Sequence, residues 1–193
     1  MAADSTKAAS SRLPGLIVFD CDACLWTPEM YELSATVGAW DAAAGGVRAG
    51  RDVVRLFPGA LEVLRSLLLD PRFKDVQVAV ASSTGNPPEQ FSNRVLEGLV
   101  VDSERGTKLA ELVKFREIYP GNKGRQHFPA LQRASGVAYT DMLFFDDCTY
   151  GDNCSDVASR CPGTVCVRTP DGLTVERFEH GLAAFARGET GVV

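Results

Sequence analysis

The chain has 193 residues, 45% of them apolar, enough for one domain with a single sizeable core. Its formal net charge of −5 offers no general attraction to nucleic acid or to an anionic membrane, and no apolar run approaches the roughly 20 residues that span a bilayer. The first residues lack the apolar segment of a secretory signal, and the spacing of the 6 cysteines is not that of a small secreted disulfide framework. These features predict a cytoplasmic protein with reduced thiols, free of nucleic-acid and membrane partners, and a monomer.

Residues 1–13, rich in Ala and Ser, and the tail 188–193 lack the periodicity of a core element, which predicts mobile ends around one domain at 14–187. Leu16-Ile17-Val18-Phe19 is a continuous apolar run that ends in a carboxylate, the pattern of a strand buried on both faces of a parallel sheet. The segment 44–56 carries Gly45-Gly46 and Gly50 among short mixed stretches and reads as a small flap or hairpin. Pro58 opens a helix with Leu61, Leu64 and Leu68 on one face. Val76 to Ala81, Met142 to Phe145 and Thr164 to Val167 repeat the buried-strand pattern, and Val175, Phe178, Leu182 and Phe185 share the face of a last helix. Alternating strands and helices imply a three-layer α/β/α sandwich with a mainly parallel sheet of about five strands.

In such sheets ligands bind beyond the carboxyl ends of the strands. The polar residues there are Asp20-Cys21-Asp22, Ser82-Ser83-Thr84 and Asp146-Asp147. Asp-x-Asp alone is a frequent pattern; its place after four apolar residues, with a second acid pair after Leu143-Phe144-Phe145, gives it weight. Two carboxylates about 4 Å apart at an effective dielectric near 20 repel by roughly 4 kcal/mol, a penalty a cation removes. Oxygen ligands without a histidine cluster favour Mg²⁺ over Zn²⁺.

The ordered set Asp-x-Asp, Ser, Lys and acid pair resembles the haloacid dehalogenase superfamily of aspartyl-phosphate enzymes. Phe19-Asp20-Cys21-Asp22-Ala23-Cys24-Leu25-Trp26, Arg116-Glu117-Ile118-Tyr119-Pro120-Gly121-Asn122-Lys123 and Phe144-Phe145-Asp146-Asp147 resemble more narrowly its magnesium-dependent phosphatases of the eukaryotic capless branch. The resemblance implies a Rossmann-like domain without a large cap. It implies hydrolysis of phosphate monoesters through a phosphoaspartate, with Asp20 the nucleophile and Asp22 the acid that protonates the leaving oxygen and then the base for water. Mg²⁺ falls to the Asp20 carboxylate, the Asp22 carbonyl and Asp147, with Asp146 and Asn153 behind them. Ser82, Ser83 and Lys123 fall on the phosphoryl group. The implied substrate is a phosphorylated small molecule or a phosphoprotein, with phosphotyrosine and phosphorylated sugar adducts as candidates.

Three departures from that pattern stand out. Cys24 occupies a usual Thr position, and a thiol is the weaker donor. Ser83 stands where relatives carry a basic residue, for which Arg48, Arg51 and Arg55 are replacement candidates. The loop before Asn153 is lengthened. Cys21 and Cys24 also form a C-x-x-C close in sequence order to an acid, and Cys148 follows the other acid pair, so a redox or thiolate-metal site competes with plain buried thiols. A catalytically dead binding protein and a phosphotransferase are the alternative functions. His127 and His180 are read as helical and remote from the chemistry, and Trp26 and Trp40 as packing or pocket walls.

Overall fold

The computed structural model describes residues 12–85 and 88–193. Most of the head expected to be mobile, residues 1–11, lies outside them. Arg12 is held: one guanidinium nitrogen donates to the Thr140 carbonyl at 2.9 Å and pairs with Asp141 at 3.1 Å.

Leu16–Phe19 (β1) is fully buried, as a run of four apolar residues demands. Trp26–Thr27 (β2), Trp40–Asp41 (β3), Gly46–Ala49 (β4) and Asp52–Leu56 (β5) follow, then Pro58–Leu69 (α1), Gln77–Ser82 (β6) and Pro88–Gly98 (α2). Val100–Asp102 (β7), Thr107–Lys108 (β8), Leu109–Leu112 (α3) and Phe115–Ile118 (β9) lead to Phe128–Ser135 (α4). The chain closes with Met142–Asp146 (β10), Asn153–Arg160 (α5), Val165–Arg168 (β11), Val175–Ala186 (α6) and Gly191–Val192 (β12).

Six strands form one sheet in the order β12-β11-β10-β1-β6-β9, every neighbouring pair parallel. Period-two alternation sorts its side chains to two faces. Ile17, Phe19, Val78, Val80, Leu143 and Phe145 pack under α1 and α6, against Leu64, Leu67, Phe178 and Leu182. Leu16, Val18, Ala79, Ala81, Met142 and Phe144 pack under α4 and α5, against Phe128, Leu131 and Val157. The three-layer sandwich expected from the sequence is present. The tail is not free of structure: Val192 lies beside Cys166, and the Val193 amide donates to the Cys166 carbonyl at 3.0 Å.

The flap is larger than the segment 44–56. β4 and β5 form its hairpin, turning at Gly50 with a positive φ of 63°, but β2 and β3 extend it to a four-stranded antiparallel sheet ordered β2-β5-β4-β3. Trp26, Val47, Ala49 and Val54 bury it against the main core, so it adds to the domain. Among the described residues no helix is long and apolar enough to cross a membrane.

Candidate active site

The pairing register sets the floor of the site. Phe19 lies level with Phe145 on one side and Val80 on the other, so the residues that follow, Asp20, Asp146 and Ala81-Ser82, leave three adjacent central strands together. The Asp20 amide donates to the Phe145 carbonyl at 2.8 Å and carries the ladder one step further. After each acid pair the chain turns sharply at a non-glycine residue in the left-handed region: Ala23 at φ 56° and Cys148 at φ 59°. Such conformations are strained and concentrate at functional sites.

Asp22 is clamped from its own loop. The buried Trp26 indole donates to one carboxylate oxygen at 2.6 Å and the Met30 amide to the other at 3.1 Å. Both bonds favour the ionised form, yet burial outweighs them and raises the Asp22 carboxyl to about 6. Trp26, read from the sequence as packing, therefore also orients an acid; the signal was a bulky indole four residues after it, since buried indoles find acceptors.

Lys123 arrives from the other side of β6. β9 runs parallel to β6 as far as Ile118, and the chain then crosses to a wide helical turn at Lys123–His127 that opens α4. Its ammonium is buried, 1% exposed, at 2.8 Å from Asp20 and in a short contact with Asp146. A buried ammonium persists only when paired, and the two carboxylates hold its proton, raising its pKa. Burial pushes the Asp20 carboxyl well up; Lys123 opposes this, while Asp146 and Asp147 add to it. Asp146 is saturated, its second oxygen accepting from the Cys148 amide at 2.8 Å and from Asn153 at 3.1 Å. Asn153 thus reaches the acid cluster despite the longer loop. His127, expected to be remote, stacks on Tyr119 at 4.2 Å and bonds its carbonyl at 3.1 Å, bracing the loop that delivers Lys123; His180 is exposed on α6.

Asp20, Asp146 and Asp147 offer oxygens that all lie within 4.8 Å of one another. Lys123 offsets one charge of the three. All-oxygen donors with residual negative charge suit a hard divalent ion such as Mg²⁺. No thiol joins them among the described residues. Cys21 and Cys24 are fully buried toward the core, where burial raises both thiols, and Cys24 lies 3.7 Å from the Phe145 carbonyl and 3.4 Å from the Thr169 hydroxyl, beneath the floor. Cys148 has its contact with Cys154, which lowers its thiol.

Above this floor lies a pocket of about 690 Å³ that brings together Asp20, Asp22, Ser82, Ser83, Lys123, Asp147 and Asn153. Ser83 lines the pocket as its phosphate-binding reading requires, and its hydroxyl also donates to the Gly121 carbonyl at 2.6 Å, tying the Lys123 loop to β6. None of the three flap arginines lines the pocket; Arg48 pairs with Asp41 at 2.6 Å, Arg55 bonds the Ala44 carbonyl at 2.8 Å and Arg51 lies near Asp52. Glu29, Tyr31 and Tyr150 line the mouth, and sequence reasoning missed them.

The parallel sheet with carboxylates at the ends of its two central strands is the fold of the haloacid dehalogenase superfamily. A haloacid dehalogenase-like hydrolase from Xanthomonas campestris superposes with a TM-score of 0.56 at 13% identity, covering 92% of this chain and 97% of that one. The phosphatase-containing N-terminal part of a Bacteroides fragilis protein, complexed with Mg, gives 0.55 at 14% identity, over 91% of this chain and 39% of that one. More narrowly, the chain belongs to the acid phosphatase family, whose sequence model matches residues 12–188. It is 32% identical over 186 residues to the human magnesium-dependent phosphatase 1, covering 94% of this chain and 92% of the relative.

Proposed function

We propose that the protein is a magnesium-dependent phosphatase that hydrolyses phosphate monoesters through a phosphoaspartate on Asp20. The observation that carries this reading is the placing of Lys123 between Asp20 and Asp146, beside Asp147, on the floor of an open pocket. Such a floor neutralises an anionic nucleophile and receives an anionic phosphate. Family membership and the magnesium-dependent human relative support it.

In this reading Asp20 attacks phosphorus and Ser82 and Lys123 bind the transferring oxygens. Asp22, with a carboxyl raised to about 6, gives its proton to the leaving oxygen and takes one from the water that follows. The Asp20 carboxylate, the Asp22 carbonyl and Asp147 would hold Mg²⁺, which would supply charge neutralisation for the approach of anion to anion. Asp146 and Asn153 fix Lys123, and Ser83 fixes the loop. The open mouth suits an ester carried on a larger molecule, including a protein. Six thiols, all free among the described residues, agree with a cytoplasmic setting, and we take the protein as a monomer without nucleic-acid or membrane partners.

Hydrolysis of p-nitrophenyl phosphate with Mg²⁺, compared between the native protein and Asp20→Asn, tests the assignment. Loss of turnover in the variant is the expected result; equal rates would remove Asp20 as nucleophile. A binding protein without activity would hydrolyse nothing, and a phosphotransferase would favour an added alcohol over water.

A further inference from the structure

The mouth of the pocket carries chemistry that the hydrolytic machinery does not use. Tyr31, from the short turn after β2, and Tyr150, from the loop after β10, meet across it edge to face, with ring centroids 6.2 Å apart and hydroxyls 2.7 Å apart. They are 60% and 70% exposed, among the few large hydrophobic side chains in the described structure that face solvent. The Tyr31 hydroxyl lies 3.4 Å from a Glu29 carboxylate oxygen, and all three residues line the pocket. Two rings at an interplanar angle of 85° with a carboxylate beside them make an open corner of π-faces and negative charge.

The charge around that corner has one sign. Among the described residues Lys123 is the only cation of the pocket lining, and it is buried against Asp20 and Asp146. Two positive charges from a divalent ion and one from Lys123 would offset Asp20, Asp146 and Asp147, which leaves the phosphate, Glu29 and, when ionised, Asp22 as the anions facing whatever the phosphate is attached to. The three flap arginines are turned to Asp41, to Asp52 and to a main-chain carbonyl, away from any second anion in the pocket.

We propose that Glu29, Tyr31 and Tyr150 form the leaving-group subsite, and that it selects phosphate monoesters whose leaving group bears an ammonium while rejecting those that bear a carboxylate or a second phosphate. This rests on the phosphatase reading above. A cation over the face of a tyrosine is attracted by the ring quadrupole, and alkylammonium groups are bound in this way by aromatic corners closed with an acid. A second anion instead meets Glu29 with no counter-charge, which costs affinity without any steric clash.

The test uses the full-length protein with Mg²⁺ and p-nitrophenyl phosphate as reporter, with phosphocholine and phosphoglycolate as competitors at low ionic strength. The expected inhibition constant for phosphocholine is about tenfold below that for phosphoglycolate, a ratio consistent with one cation–π contact plus one facing charge. Glu29→Gln and Tyr150→Ala should each bring the two constants together, and Glu29→Lys should invert their order. Equal constants in the native protein, or a ratio unmoved by both Glu29 substitutions, overturn the subsite while leaving the phosphatase reading intact. Absence of reporter turnover in the native protein overturns that reading and the subsite with it.

Discussion

The Trp26 indole nitrogen lies 2.6 Å from the Asp22 carboxylate and donates to it, so the acid assigned to the leaving group is held by a residue of its own loop. Removing that donor withdraws support from the ionised form. In Trp26→Phe the Asp22 carboxyl therefore rises further above 6. For an alkyl phosphate, whose departure needs a proton, the alkaline limb of kcat should move about one pH unit upward, as expected for a lost hydrogen bond to a charged group. p-Nitrophenyl phosphate, with its better leaving group, should show a smaller change. Parallel pH-rate profiles of the two proteins on the two esters check this.

The same carboxyl couples stability to pH. Its folded value of about 6 exceeds the ordinary carboxylate value, so its contribution is fully present below about pH 4 and is lost as pH rises through 6. The difference corresponds to about 3 kcal/mol at most. Without Mg²⁺, the pH 5 to 7.5 interval should lower the melting temperature, and Asp22→Asn should flatten that slope. Thermal unfolding in metal-free buffer across this interval measures both.

Lys123 is tested by substitution. It is 1% exposed and pairs with two carboxylates at once, offsetting one of their charges. Lys123→Met leaves Asp20 and Asp146 without their cation, and losing one partner of a buried ion pair costs about 3–5 kcal/mol. Urea unfolding should show that loss without metal and a smaller one with Mg²⁺, which takes over part of the neutralisation. Phosphatase activity should disappear in both conditions.

Ala23 turns the loop between Asp22 and Trp26 with φ at 56°. A β-branched side chain resists this region strongly and glycine enters it freely. Ala23→Val should therefore destabilise by about 1–3 kcal/mol, the range for local backbone strain, and should misplace Asp22, while Ala23→Gly should fold at least as stably as the native protein. Denaturation midpoints give the first comparison and kcat the second.

What could be read in advance follows from burial. β1, β6, β10 and β11 are apolar runs because helices cover both faces of the sheet, and the polar ends of the first three announced Asp20, Ser82 and Asp146-Asp147. β9 was hidden because, at the sheet edge, Phe115-Arg116-Glu117-Ile118 is only partly buried, and β12 because two residues carry no period. β2 and β3 were hidden for the latter reason, which made the flap look smaller. Lys123 was legible as part of a motif, but its contact with Asp146 was not. Tyr31 and Tyr150 are 119 positions apart and meet only because β1 and β10 are neighbours.

Cys24 tests whether departure from the family pattern weakens the enzyme. The thiol is fully buried beneath the floor, between the Phe145 carbonyl at 3.7 Å and the Thr169 hydroxyl at 3.4 Å, and does not line the pocket. A threonine hydroxyl there would find the same acceptor and donor, at shorter bond lengths than sulfur requires. Cys24→Thr should therefore keep kcat within about threefold, the effect of well under 1 kcal/mol on a barrier. Cys24→Ala leaves the Thr169 hydroxyl without this partner and opens a small cavity under Asp20, at a cost of about 1–3 kcal/mol in stability. A rise in kcat above tenfold in Cys24→Thr would instead show that the native thiol holds the nucleophile loop away from its working position, and peroxide treatment of both proteins should leave activity alike, because Cys21 and Cys24 are closed to solvent.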